Sequence, residues 1–155
     1  MAPLIILLVT FAVLFLIDRF ALGQRLGLSF IGRAAMAVML IATGISHFTN
    51  TEQLIAIMPD MMPAKRELVY FTGICELAAV PGLLWKRTAR LASILLLIFF
   101  VLVLPANIAG SFKQVQFGGM EYGPIYLLFR VPLQLFFIWW VWWFGVREHK
   151  KLPSF

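Results

Sequence analysis

Arg130 lies in the middle of an otherwise apolar stretch, YLLFRVPLQLFF, at residues 126–137. An arginine at the centre of a membrane segment costs at least about 2.5 kcal/mol. Such a residue usually faces a bundle interior or a water-filled cavity, and it marks a candidate functional site. Arg130 is therefore the first candidate for chemistry in this sequence.

Glu76 is the candidate partner of Arg130, because it also lies inside an apolar segment. If its helix enters the membrane near Arg66, Glu76 lies ten residues deep, or about 15 Å at 1.5 Å per residue. If the last helix enters from the same side near Tyr122, Arg130 lies eight residues deep, or about 12 Å. Opposite charges at matching depth predict an ion pair inside the bundle.

Other polar residues fall on the same helix faces. Tyr122, Tyr126, Arg130 and Gln134 recur every four positions, which predicts one stripe on a helix. On the second apolar segment Thr43 shares a face with His47, and on the third Thr72 shares a face with Glu76. The fourth segment contributes Asn107. Together they predict a polar-lined cavity in the outer half of the membrane. The catalytic candidates are His47, Glu76 and Arg130; the ligand-binding candidates are Thr72, Asn107, Tyr122, Tyr126 and Gln134.

Several classes of site are excluded by residue type. His47 is the only histidine in the apolar segments, since His149 belongs to a basic tail, so haem held by two histidines of one chain is excluded and no metal site is expected. The single cysteine, Cys75, cannot form an intrachain disulfide or a redox thiol pair. The thirteen basic residues are scattered between apolar runs, which argues against nucleic acid as a partner.

Composition indicates an integral membrane protein. The chain of 155 residues is 62% hydrophobic and 13% charged, and its mean hydropathy is +0.93. Five apolar stretches have the length of about 17–25 residues that a bilayer core requires. Short connections predict an antiparallel, all-α bundle in a single membrane domain covering residues 1–155. The predicted helices span residues 3–19, 33–48, 68–85, 91–110 and 123–146.

Basic residues predict the orientation in the membrane. Nine lie in the first-to-second connection, the third-to-fourth connection and the C-terminal tail, whereas the opposite side carries only Lys65, Arg66 and Lys113. The positive-inside rule therefore places the N-terminus outside and the C-terminus in the cytoplasm. The WWVWW run at 139–143 fits an aromatic belt at the cytoplasmic interface.

The connection from His47 to Pro63 has structure of its own. Thr49 and Glu52 have the spacing of a capping box, and Pro59 would stop the short helix that they open. Its apolar residues predict either an interfacial anchor or a lid folded over the mouth of the bundle.

A family resemblance rests on five motifs that occur in order: GISHF (44–48), MPDMMP (58–63), YFTGICEL (70–77), VLPANI (103–108) and YGPIYLLFRVPLQ (122–134). With them, residues 32–146 resemble the DoxX family of small bacterial membrane proteins. The resemblance implies a four-helix core in the bacterial inner membrane, to which the helix at 3–19 is an N-terminal addition. It also implies a link to quinone oxidoreductases and to redox partner proteins.

Three functions remain open from the sequence. In the first, the chain is a quinone-linked oxidoreductase component or accessory; Arg130, Tyr126 and Asn107 donate to the quinone carbonyls, and Glu76 or His47 relays protons. In the second, the bundle is non-enzymatic and binds a lipid or a small apolar ligand, or supports another membrane protein. In the third, Glu76 is the titrating group of a proton-coupled transporter. No covalent cofactor is expected, and whether the chain is an enzyme is left open.

Overall fold

The described part of the chain folds into six α-helices. The computed structural model describes residues 2–59, 62–111, 125 and 127–147, and within them it contains no strand. The helices are α1 (Ala2–Phe20), α2 (Leu28–Thr49), α3 (Thr51–Ile57), α4 (Lys65–Leu84), α5 (Ala89–Ser111) and α6 (Leu127–Val141), and π-helical turns Trp142–Arg147 continue α6. The predicted all-α class is confirmed.

Five of these helices are long and apolar enough to cross a membrane, namely α1, α2, α4, α5 and α6 with its continuation. They are the five segments predicted from hydropathy, although most ends differ by a few residues. The largest difference is the start of α2 at Leu28, five residues before the predicted start, so that Arg33 lies inside the helix. The chain is therefore a polytopic helical membrane protein.

Aromatic side chains fill the core at the end of the bundle where α6 finishes. The Phe11 ring of α1 lies 5.0 Å from the Trp140 ring, and the indole Nε1 of Trp140 donates to the Gly32 carbonyl at 3.0 Å. Trp140 is buried, whereas Trp139 and Trp142 are exposed. The prediction that the whole WWVWW run forms an interfacial belt is therefore only partly right, because α1 and α2 enclose one face of it.

The helices α2 and α4 cross at two glycines. A Cβ atom added to Gly73 would lie 2.7 Å from the Cβ of His47 and 3.2 Å from the Gly44 carbonyl oxygen. A Cβ added to Gly44 would lie 2.8 Å from the side chain of Leu77. Small residues let helix backbones approach closely in membranes. This crossing brings the polar faces of α2 and α4 into contact.

The short helix α3 lies where the sequence predicts one, but its N-terminus differs from the prediction. Because α2 continues through Thr49, the N-cap of α3 is Asn50, and no side chain caps it. The predicted capping box is therefore wrong. Glu52 instead pairs with Arg66 at the start of α4. The buried Ile57 packs against Phe129 of α6, so α3 folds over the bundle, as the lid alternative predicted.

Candidate functional site

A cavity of about 650 Å³ lies between the helices at the end of the bundle that holds the start of α1. This volume falls in the range of about 300–1,000 Å³ that is typical of small-molecule pockets. Six predicted candidates line it: His47, Thr72, Glu76, Asn107, Arg130 and Gln134. The other two, Tyr122 and Tyr126, lie outside the described residues. Polar groups from four helices therefore meet at one site.

The remaining lining is largely apolar. It includes Ile6 of α1, Leu54 and Ile57 of α3, and Met58 and Met62 in the connection that follows. The contribution of α1 was not predicted, because that helix carries no polar residue at this level. Met58 and Met62 belong to the connection whose apolar residues predict an interfacial anchor or a lid. A cavity with these walls suits a ligand that is itself mostly apolar.

Glu76 is held by α2. Its carboxylate oxygen Oε2 lies 2.5 Å from the hydroxyl of Thr43, and Oε1 lies 3.5 Å from Nε2 of His47. The side chains of His47 and Glu76 are 17% and 10% exposed. The close crossing at Gly44 and Gly73 produces these contacts, since it places one turn of α2 directly against one turn of α4.

The ring of His47 is fixed at its other nitrogen. Nδ1 lies 3.0 Å from the carbonyl oxygen of Val69 and 3.1 Å from the hydroxyl of Thr72. Thr72 lies one turn from Glu76 on α4, so the same helix face holds both sides of the imidazole. His47, Glu76, Thr43 and Thr72 therefore form one cluster, which we call the α2–α4 polar cluster.

Arg130 belongs to the other side of the cavity. Its Nη2 donates to Oδ1 of Asn107 at 2.7 Å, which joins α6 to α5. One turn further along α6, the buried Gln134 donates from Nε2 to the Phe100 carbonyl at 3.1 Å. These contacts confirm that Arg130 and Gln134 share a face of α6.

The predicted direct ion pair between Glu76 and Arg130 is wrong. Both polar contacts of Glu76 go to α2, whereas Arg130 donates to Asn107 of α5. The physical reason lies in the packing. α4 packs chiefly against α2 and α6 packs chiefly against α5, so the cavity separates the two charges. The similar predicted depths of Glu76 and Arg130 in the membrane correctly put both residues at one cavity, but they do not make the two side chains neighbours.

This arrangement predicts a difference between two double-mutant cycles. Glu76→Gln combined with Thr43→Val should show a coupling energy of about 0.6–1.7 kcal/mol, as polar contacts between membrane helices do. Glu76→Gln combined with Arg130→Gln should show a smaller coupling, because no contact joins these side chains. Thermal unfolding in one detergent measures both cycles. A larger coupling for the Glu76 and Arg130 pair would restore the direct ion pair.

The site offers hydrogen bonds and the positive charge of Arg130 to a ligand. Among the residues that the structure describes, no group of three or more His, Cys, Asp and Glu side chains is placed to hold a metal ion. A bound molecule could meet the α2–α4 polar cluster on one wall, Arg130 and Asn107 on another, and apolar side chains elsewhere. Such a site can bind and orient a head group and exchange protons with it.

A comparison with protein families gives one match. The family described as "Domain of unknown function (DUF8561)" matches residues 36–145. This segment contains all six cavity-lining candidates and leaves out α1. No curated protein and no solved structure matches the chain. Because the match covers more than half of the sequence, the chain belongs to the DUF8561 family.

Proposed function

We propose that this protein binds, within the membrane, a small molecule that has a hydrogen-bonding head group and an apolar body. One observation carries the proposal: the polar side chains of four helices meet in a single cavity of about 650 Å³ whose other walls are apolar. A purely structural role would not need this space. Close packing would satisfy the same polar groups better, since helix interiors normally leave few voids.

A quinone is the ligand that we propose first. Its ring carbonyls accept hydrogen bonds, which the guanidinium of Arg130 can donate, and its reduction takes up protons, which Glu76 or His47 could supply. The resemblance of residues 32–146 to the DoxX family supports this choice and the role of quinone-linked oxidoreductase component or accessory. The same resemblance supports a bacterial inner membrane location, and the basic residues support an outside N-terminus.

A lipid or another apolar molecule is the second candidate, with a non-enzymatic role. The observation that favours it is the nature of the walls. Flexible Met58 and Met62 and the rings of Phe99, Phe100 and Phe137 line the cavity. Methionine side chains adapt to irregular apolar shapes, so these walls suit a flexible chain as well as a ring.

The test is mass spectrometry of an organic extract from protein purified in mild detergent. The wild-type chain should carry a near-stoichiometric compound. Ala106→Phe places an aromatic ring at a residue that lines the cavity and should lower the retained amount at least tenfold. The matched control is Ala78→Phe, because Ala78 is exposed on α4 and does not line the cavity; it should retain the wild-type amount.

The extract also distinguishes the candidates. A quinone supports the redox-linked role, and a lipid or other apolar compound supports the non-enzymatic one. An equal amount of compound in both phenylalanine variants would show that it binds outside the cavity. An empty wild-type extract would contradict the binding proposal and direct attention to a protein partner.

A further inference from the structure

The contacts of His47 fix which ring nitrogen carries a proton. The carbonyl oxygen of Val69, 3.0 Å from Nδ1, can only accept a hydrogen bond. The hydroxyl of Thr72 lies 2.9 Å from the carbonyl oxygens of Leu68 and Val69, so it donates its own proton to the backbone and presents a lone pair to Nδ1. Both neighbours of Nδ1 are therefore acceptors, and Nδ1 is protonated.

The second ring nitrogen then faces a carboxyl group. In a neutral imidazole with a proton on Nδ1, Nε2 carries only a lone pair. An ionised carboxylate also presents only lone pairs, and Oε1 of Glu76 lies 3.5 Å from Nε2. Two acceptors that face each other in a largely buried site repel, more strongly than in water because the local dielectric constant is low. One additional proton, carried by either atom, replaces this repulsion with an attractive contact across the 3.5 Å between them.

Thr43 can accommodate the extra proton on either side. Its hydroxyl lies 2.5 Å from Oε2 of Glu76 and 3.2 Å from the Met39 carbonyl. It donates to Oε2 when the carboxyl group is ionised. When the extra proton lies on Oε1 instead, Oε2 still carries lone pairs, so the hydroxyl continues to donate to it. The contacts of Glu76 are therefore satisfied in both forms.

In the described part of the chain, the hydrogen bonds and ion pairs of the two side chains join them to each other and to Thr43, Val69 and Thr72, and to no other charged group. Arg130 of α6 lines the same cavity, while Glu52 of α3 pairs with Arg66 on the exposed surface. On α5, the polar side chain that lines the cavity is Asn107, which is neutral. One additional proton beside the one on Nδ1 leaves the pair with no net charge, which suits a site of low dielectric constant.

We propose that His47 and Glu76 form a proton-holding pair, with one proton fixed on Nδ1 and one carried by either Nε2 or Oε1. Because both side chains line the cavity, the pair can give this proton to a bound head group and take it back. The ligand class implied is a molecule that gains or loses a proton. The proton-holding pair follows from the contacts of the α2–α4 polar cluster and stands whether or not a ligand is retained on purification.

The test is nuclear magnetic resonance of chain with ¹⁵N-labelled histidine and ¹³C-labelled glutamate carboxyl groups, in lipid nanodiscs at neutral pH. The chain has two histidines, so His149→Gln in every sample makes His47 the only imidazole observed. Nδ1 should resonate as a protonated nitrogen. Either Nε2 should resonate as a protonated nitrogen beside an ionised Glu76, or Glu76 should resonate as a neutral carboxyl group. In Glu76→Gln the Nε2 resonance should move while that of Nδ1 stays unchanged.

Glu52→Gln is the matched control, because it makes the same change at a side chain that is 71% exposed and pairs with Arg66; it should leave both nitrogens unchanged. An unprotonated Nδ1, or an Nε2 signal that Glu76→Gln does not move, would overturn the inference. If the Glu76→Gln chain does not fold, the spectra of the chain with Glu76 intact still test the proposal. An unprotonated Nε2 together with an ionised Glu76 carboxylate would refute the pair.

Discussion

Replacing Gly73 by serine should lower the free energy of unfolding by about 1–3 kcal/mol, the usual cost of overpacking a well-packed core. Helix propensity alone predicts the opposite sign, because serine is a better helix former than glycine. Packing should decide, since the new Cβ would lie 2.7 Å from the Cβ of His47 and 3.2 Å from the Gly44 carbonyl oxygen. Neither neighbour is the end of a flexible side chain, so α2 and α4 would have to separate.

The matched control is Gly27→Ser. No heavy atom lies within 4 Å of a Cβ built at Gly27, and the residue is the N-cap of α2, where serine is preferred. This variant should be as stable as the wild-type chain or slightly more so. Thermal unfolding of both variants in the same detergent gives the comparison. A Gly73→Ser chain as stable as the Gly27→Ser chain would show that the helices do not depend on their close crossing.

The Gly73 variant should also change the site. Separating α2 from α4 moves His47 away from the Val69 carbonyl and Glu76 away from Thr43. The histidine resonances described above should then change in Gly73→Ser and stay constant in Gly27→Ser. Stability and the α2–α4 polar cluster are therefore coupled through one backbone contact.

The crossing also explains which parts of the site could be predicted from the sequence. The cost of burying charge identifies Arg130 and Glu76, and helical spacing places Gln134 on the face of Arg130. The partners of the two charges depend on which helices touch, and hydropathy does not carry that information. The glycine pair, Gly44 and Gly73, was the available signal that α2 approaches α4.

Two other differences between the sequence predictions and the structure have local causes. The capping box failed because α2 continues through Thr49 and only Asn50 separates it from α3. Periodicity cannot distinguish a continued helix from a new one when the break is a single residue. Trp140 was expected at an interface but is buried, because α1 packs its Phe11 ring against the indole. Which face of an apolar helix meets a neighbour depends on the whole bundle.

Removing Asn107, which accepts a hydrogen bond from Arg130, should destabilise the chain, whereas removing Asn107 and the arginine together should not. Asn107→Leu should lower the free energy of unfolding by about 1.5–3 kcal/mol, the usual value of a hydrogen bond to a charged group. In Asn107→Leu/Arg130→Met, no partly buried guanidinium needs that acceptor. By analogy with buried ion pairs that are replaced by apolar residues, the double variant should be as stable as the wild-type chain, or more stable by about 1–4 kcal/mol.

Thermal unfolding of the single and double variants tests this difference, and Arg66→Met is the matched control. Arg66→Met makes the same kind of change in an exposed pair, that of Arg66 with Glu52. It should therefore lower the free energy of unfolding by less than about 1 kcal/mol. A double variant less stable than Asn107→Leu alone would show that Arg130 itself stabilises the fold. If the double variant is stable but no longer retains the bound compound, Arg130 and Asn107 together are present for the ligand. The unfavourable free energy of placing an arginine inside the membrane is then a consequence of forming the binding site.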